Sequence, residues 1–398
     1  MDTKKSTSEF DLVIFGASGF TGRLVVEYIL KQYGFRDAAR GNLNWAIAGR
    51  NLEKLAALRD ELGAPTDLPL LATDASVPAS LVEVAQRTKV VLTTVGPYQL
   101  YGSDLVAACA QTGTDYVDLC GEPVWMRQMI DAHQANAVAS GARIVFSCGF
   151  DSIPFDVGVW FAQAEFAKKY GVKASRIKGR VRKMKGTFSG GTAASLKATM
   201  TAAQDPAVMS LLKNPFALTP GFQGPSQPHG MKPLFDESIG SWCAPFIMAP
   251  INTRNVHRSN HLMHYPYGED FVYDEMILTG PGEKGETIAN AIAGDKSMGG
   301  KDGPKPGEGP SKEERETGFY DLMFVAENSA GQKMIASVKG DRDPGYGSTS
   351  KMISECALCL LRDSLATTGG IWTPAAAMAE SLLKRLQANA GLTFKVES

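Results

Sequence analysis

The sequence predicts an α/β protein in two parts: a doubly wound parallel sheet, then an α+β unit with a mainly antiparallel sheet. Three observations carry that expectation. Between Phe10 and Cys148, short β-rich runs alternate with helical patterns. Those runs are continuously apolar, as strands covered on both faces must be. After Asp151 the rhythm changes to longer strands in which polar and apolar residues alternate.

In the first part the strand candidates are 11–15, 44–48, 68–72, 90–94, 116–119 and 143–147. Helical patterns fill the gaps at 21–33, 52–62, 78–88, 103–112 and 124–140. In the second part "SRIKGRVRKMKG" (175–186) alternates basic and apolar residues like a half-exposed strand. A helix then begins with Thr192 as its N-cap. Stretches 261–268, 271–278, 320–328 and 333–340 read as further strands. Residues 294–316, rich in Gly, Pro and charge, read as a flexible loop, either plainly solvated or a lid. Near the end, Thr373 and Pro374 read as an N-cap and first helical position, and Gly391 as a C-terminal stop. These last helices are expected to pack back on the first part. The resulting division is 8–152, completed by helices in 348–398, as a dinucleotide-binding domain, with 153–347 as a substrate and dimerisation domain.

Composition narrows the function classes. At 398 residues with a formal charge of -1, the chain has no electrostatic reason to seek nucleic acid or an anionic membrane. Its six cysteines are too sparse for a disulfide scaffold. The C-x-x-C at Cys356 and Cys359 sits in an apolar helical stretch and reads as two buried small hydrophobes before a redox pair, with no second such pair to complete a zinc site. The N-terminal stretch shows no apolar signal segment and no run approaches a membrane span, so a reducing cytoplasm is the expected location.

The chemistry concentrates at strand ends. Gly16-x-x-Gly19-x-x-Gly22, in "IFGASGFTGR", follows the first strand and opens the first helix, the setting of a Rossmann-like nucleotide loop. Gly16 permits the tight turn, Gly19 lets the backbone approach a pyrophosphate, and Gly22 lets helix and strand pack closely. N–H groups from Ser18 through Phe20 to Thr21 then face the phosphates. At the end of the second strand, "AIAGRN" puts Arg50 where an NAD site wants an acid, so NADP(H) is the expected cofactor. Asp74, after the third strand, joins the cofactor set. The turns "TTVGPYQLYG", "VDLCGEP" and "SCGFDSIPFD" should line the nicotinamide end, with Gly96 and Pro97 crossing close to the cofactor. Tyr98, Tyr101 and Asp151 are the catalytic candidates there, and each also reads as a packed tyrosine or a capping aspartate. His257, His261 and His264 lack the accompanying carboxylate of a metal motif, so no metal is expected.

Taken together, "IFGASGFTGR", "VGPYQLYG", "DLCGEP" and "CGFDSIPFDVG" resemble the saccharopine dehydrogenase-like oxidoreductases. The C-terminal "GDRDPGYGSTSKM" and "GIWTPAAAMAESLLKRLQANAGLTF" resemble their trans-acting enoyl reductase branch. That resemblance implies NADP(H), Gly16, Gly19 and Gly22 as the nucleotide loop, and reduction of a double bond in a lipid or polyketide-derived substrate. The partners expected are thus a small-molecule or acyl-chain substrate, with a carrier or synthase as one option for its delivery, and a second copy of the chain. Two other readings stand beside it. A saccharopine-reductase-like enzyme for an imine or amino acid conjugate would need converging arginines, for which Arg180, Arg182, Arg254 and Arg342 are the candidates. A non-catalytic scaffold would bind NADPH without turnover.

Overall fold

The structure, a computed structural model, describes residues 8–187, 190–295 and 308–398. Its strands in chain order begin with β1 (Phe10–Phe15), β2 (Trp45–Gly49), β3 (Leu70–Ala72), β4 (Thr88–Thr93), β5 (Asp115–Val117) and β6 (Arg143–Val145). There follow β7 (Arg176–Lys185), β8 (Leu234–Asp236), β9 (Ser241–Pro245), β10 (Val272–Gly280), β11 (Phe319–Glu327) and β12 (Lys333–Gly340). The last two are β13 (Gly370–Trp372) and β14 (Leu392–Val396).

These strands make two sheets. The first has the order β13-β6-β5-β4-β1-β2-β3, all parallel. The order reverses between β1 and β4, and a crevice opens at such a reversal. Because successive side chains of a strand point to opposite faces, Leu12 and Ile14 enter one core layer while Val13 and Phe15 enter the other. Helices Pro78–Arg87, Ser103–Thr112 and Pro123–Ser140 cover the second layer. Helix Phe20–Tyr33 and the late helix Thr349–Arg362 pack together over the first.

The second sheet runs β14-β12-β11-β7-β10-β9-β8 and is antiparallel except where β7 and β10 pair in parallel. Helix Ile153–Tyr170 lies across it at Gly158, where a Cβ would come within 2.6 Å of the Phe324 ring and 3.1 Å of Val338. Buried Asp156 on this helix accepts from the Ser259 hydroxyl and from the Ala375 N–H at 2.8 Å, joining three helices at one carboxyl. Its burial pushes that carboxyl up to about 7.

Several sequence expectations change. Residues 261–268 are not a strand: helix Ala249–Leu262 runs into a turn where His264 and Tyr265 both take positive φ. Helix Gly190–Ala202 starts before Thr192, which therefore lies inside the first turn and not at its cap. Residues 348–398 do not all serve the first sheet. The helix Thr349–Arg362 and β13 complete it, whereas β14 is the edge of the second. The centre of the expected loop, 296–307, lies outside the described residues. Its end holds a helix, Lys312–Thr317, started by a reciprocal Ser311–Glu314 capping box. Among the described residues no helix is long and apolar enough to cross a membrane.

Gly158→Ala is expected to destabilise the fold by about 1–3 kcal/mol, because the added methyl overpacks the contact with Phe324. Urea unfolding followed by fluorescence reads the change, and an unaltered midpoint would show that this crossing is not tight.

Candidate functional site

The loop after β1 is shaped by what its glycines leave out. Gly16 has φ 84°, and a Cβ on it would lie 2.7 Å from Val95 Cγ2. A Cβ on Gly22 would fall 2.1 Å from the Gly16 carbonyl oxygen, so the first helical turn can sit on the loop only while residue 22 has no side chain. The loop is pinned to β2 by the Gly16 and Ala17 N–H groups, which donate to Ala48 O at 3.0 and 3.3 Å. Helix Phe20–Tyr33 begins with Gly19 at its N-cap and no side-chain cap. The N–H groups of Phe20, Thr21 and Gly22 therefore have no acceptor within the helix, and Ser18 beside them is exposed. A backbone cradle of free donors at a positive helix end fits a diphosphate.

Along the same edge, Arg50 is exposed just beyond β2, and Gly49 faces Ser18. Asp74, beyond β3, accepts on Oδ1 from the Ser76 N–H at 2.9 Å and the Ser76 hydroxyl at 2.8 Å. These bonds, helped by the charge of Arg50, hold its carboxyl below the usual range. Arg50 and Asp74 thus stand together beyond the ends of β2 and β3.

The other end is built from the turns after β4, β5 and β6. Gly96 is exposed at the rim, and Pro97 caps the short helix Tyr98–Tyr101. Tyr98 corrects an expectation: its ring is buried beside Trp125, and its hydroxyl donates to Thr93 O at 3.3 Å and accepts from the Leu119 N–H at 3.0 Å. Burial raises its pKa well above that of a free phenol. It ties two turns together and presents no proton to the cleft. Tyr101 stays about half exposed, 49%. Asp151 is part-buried with Oδ2 facing Gly121, where a Cβ would come within 2.9 Å of it. Desolvation raises its carboxyl to about 7, against its own backbone hydrogen bond.

Two acids that the sequence reading passed over organise these turns. Asp118, buried after β5, accepts on Oδ1 from the Cys120 and Ser147 N–H groups at 3.0 and 2.9 Å. Glu122, also buried, accepts from the Tyr98 and Gln99 N–H groups at 3.0 and 2.8 Å, and from the Ser195 hydroxyl at 2.9 Å. Ser195 belongs to helix Gly190–Ala202 of the second unit, so Glu122 bridges the two halves of the cleft. The quoted "DLCGEP" held both residues. An acid one or five residues past a buried strand was the available signal.

The second unit also meets the site through helix Ala249–Leu262, where Asn255 Nδ2 donates to Ser152 Oγ at 2.8 Å, next to Asp151. His257 on this helix is buried against Phe216 and Phe271, and desolvation lowers its pKa to about 3. His261 faces the Tyr265 hydroxyl at 2.7 Å. Among the described residues no three metal-ligating side chains gather. Cys356 and Cys359 are buried and free, and burial raises both thiols. The four candidate arginines each have partners within the protein, and no two of them share one. Arg180 pairs with Asp236 and Asp274 in the core, and Arg182 with Asp321 and Glu397. Arg254 donates to the carbonyls of Pro250 and Leu212, and Arg342 to that of Asp341 at 2.9 Å.

Comparison with known proteins agrees with this geometry. Residues 12–145 match the saccharopine dehydrogenase NADP binding domain. A Mycobacterium tuberculosis protein whose name provisionally places it among trans-acting enoyl reductases is 41% identical, with 97% of each chain covered. A Mycobacterium ulcerans protein named trans-acting enoyl reductase is 38% identical, over 95% of this chain and 96% of its own. Among solved structures, saccharopine dehydrogenase (L-Glu forming) of Saccharomyces cerevisiae shares the fold at 12% identity, with a TM-score of 0.54 over 98% of this chain and 100% of its own. A nicotinamide dinucleotide is thus the cofactor of this chain, which belongs to the saccharopine dehydrogenase-like oxidoreductases, in the branch of the trans-acting enoyl reductases.

Proposed function

We propose that the protein is an NADPH-dependent reductase of an enoyl thioester presented by a separate synthase. The observation that carries the reading is a backbone cradle after β1 together with the part-exposed Asp151 after β6, both on the carboxyl edge of the same parallel sheet. The names of the relatives support the enoyl substrate over nearly the whole chain. So does the pairing of Arg180 and Arg182 with acids inside the protein. A substrate with several carboxylates would need such cations free.

In this reading residues 8–152, with parts of 348–398, carry the cofactor and 153–347 face the substrate. Gly16, Gly19 and Gly22 keep space for the diphosphate, and the N–H groups of Ser18, Phe20, Thr21 and Gly22 bind it. Arg50 would pair with the 2′-phosphate, Asp74 would stand at the same adenosine end, and Gly96 and Pro97 would line the nicotinamide end. When bound, the cofactor supplies the hydride that adds to the β-carbon of the enoyl group. Asp151 then delivers its carboxyl proton to the α-carbon, directly or through one water, and leaves as the carboxylate. Its raised pKa keeps that proton in place up to neutral pH. Tyr101, half exposed on the rim, flanks the acyl chain.

Two predictions follow from these roles. Arg50→Gln is expected to weaken NADPH binding about tenfold or more while leaving NADH unchanged, as read by fluorescence titration; equal losses for both would remove Arg50 from the 2′-phosphate. For Asp151 the acid form is the active one, so turnover of an enoyl thioester should fall as pH rises through about 7. Asp151→Asn should lower kcat by roughly 10²–10⁴-fold with NADPH affinity kept, and should flatten that limb of the profile. Unchanged kcat in this variant would dismiss Asp151 as the donor. NADPH binding with no turnover of any acyl thioester by the wild type would instead favour the scaffold reading.

A further inference from the structure

The nucleotide loop carries one aromatic side chain, Phe20, the first residue of its helix, and the second unit closes on it from three directions. Tyr346, in the turn Pro344–Ser348, meets the Phe20 ring edge-on at 5.2 Å between centroids. Arg315, from helix Lys312–Thr317, holds its guanidinium carbon 5.6 Å from the same centroid. Gly309 lies so close that a Cβ on it would be 2.5 Å from the ring, leaving room only for a glycine. The Asp343 N–H donates to Arg315 O at 3.0 Å, so the short helix and the turn are joined behind the ring.

Arg315 is held by its surroundings but only partly neutralised. One Nη donates to Pro310 O at 2.6 Å. Among the described residues no carboxylate forms an ion pair with it. Asp343, whose carboxyl its charge does reach, accepts on both oxygens from the Tyr346 and Gly347 N–H groups at 3.0 and 2.7 Å. Among the described residues the remaining guanidinium donors therefore have no ion-pair partner, and the ring they pack against is the first side chain of helix Phe20–Tyr33. A cation fixed beside a cluster of backbone donors reinforces the same preference for an anion.

We propose that Arg315 is a cofactor-binding residue supplied by the second unit: packed on Phe20, its guanidinium contacts the diphosphate of the nicotinamide cofactor. This rests on the cofactor cleft assigned above, and it gives the diphosphate a side-chain partner in addition to the loop backbone. Arg50 and Arg315 then have separate tasks. The first reads the 2′-phosphate, and the second reads the bridge common to NADPH, NADH and ADP-ribose.

The test titrates the full chain with NADPH, NADH and ADP-ribose by isothermal calorimetry, at low and at raised salt. Arg315→Met keeps the length and packing of the side chain but removes its charge. It is expected to weaken all three ligands by a similar factor, about tenfold or more, and to reduce the salt dependence of binding. Arg315→Lys should recover part of the affinity, and thermal unfolding of both variants without ligand checks that Phe20 remains packed. Wild-type affinities in Arg315→Met, or a loss confined to NADPH, would overturn the proposal. So would an equal loss in Arg315→Lys with unaltered salt dependence, since that is the mark of packing alone. If the wild type itself binds NADPH no better than NADH, the NADPH reading fails, and the ADP-ribose comparison still decides the role of Arg315.

Discussion

One missing methyl group governs the cleft. The Gly16 carbonyl occupies the place where a side chain at residue 22 would begin, 2.1 Å from an added Cβ. Only this contact lets helix Phe20–Tyr33 start directly on the loop after β1, and only that start leaves a row of backbone donors facing the crevice between β1 and β4. The loop is held from the opposite side as well, since Gly16 is tight against Val95 at the end of β4. Strand order and close backbone packing thus fix where an anion binds before any charged side chain is considered.

The acid groups divide by what surrounds them. Asp118, Asp151 and Asp156 are all raised to about 7 by desolvation. Two of them are fully used by neighbours: Asp118 by Tyr116 and two backbone N–H groups, and Asp156 by Ser259 and Ala375. Asp151 differs in geometry and not in the size of its shift, being part-exposed beside Gly121. A raised pKa alone therefore does not tell these three carboxyls apart; their exposure and hydrogen-bond partners do.

Much of the first sheet was legible because its signals are local. Apolar runs between glycine turns gave all six leading strands to within two residues at most ends, and the glycine spacing located the loop. Errors arose where long-range contacts decide. The stretch 261–268 carries apolar residues that suit a strand, but helix Ala249–Leu262 buries Asn255, His257, Arg258 and Ser259 between the two units, a polar pattern that no amphipathic template recognises. Tyr98 looked catalytic from its place in a strand-end turn, and only the fold shows Thr93 and Leu119 meeting its hydroxyl. The arginine candidates were visible as residue types, while their partners lie as far apart in the chain as Arg182 and Glu397. Arg315 was invisible for the same reason: 295 positions separate it from Phe20 (315 − 20).

The placement of β13 and helix Thr349–Arg362 has a consequence for how the chain is made. The outermost strand of the first sheet pairs Gly370 with Arg143 and Trp372 with Val145, and the helix before it closes the core under β4 and β5. A nascent chain that has just left the ribosome with β1–β6 complete exposes that apolar face until more than two hundred further residues are translated. The cofactor half and the substrate half are consequently completed by the same late stretch, 349–396. The strands made first in this protein are thus among the last to be covered.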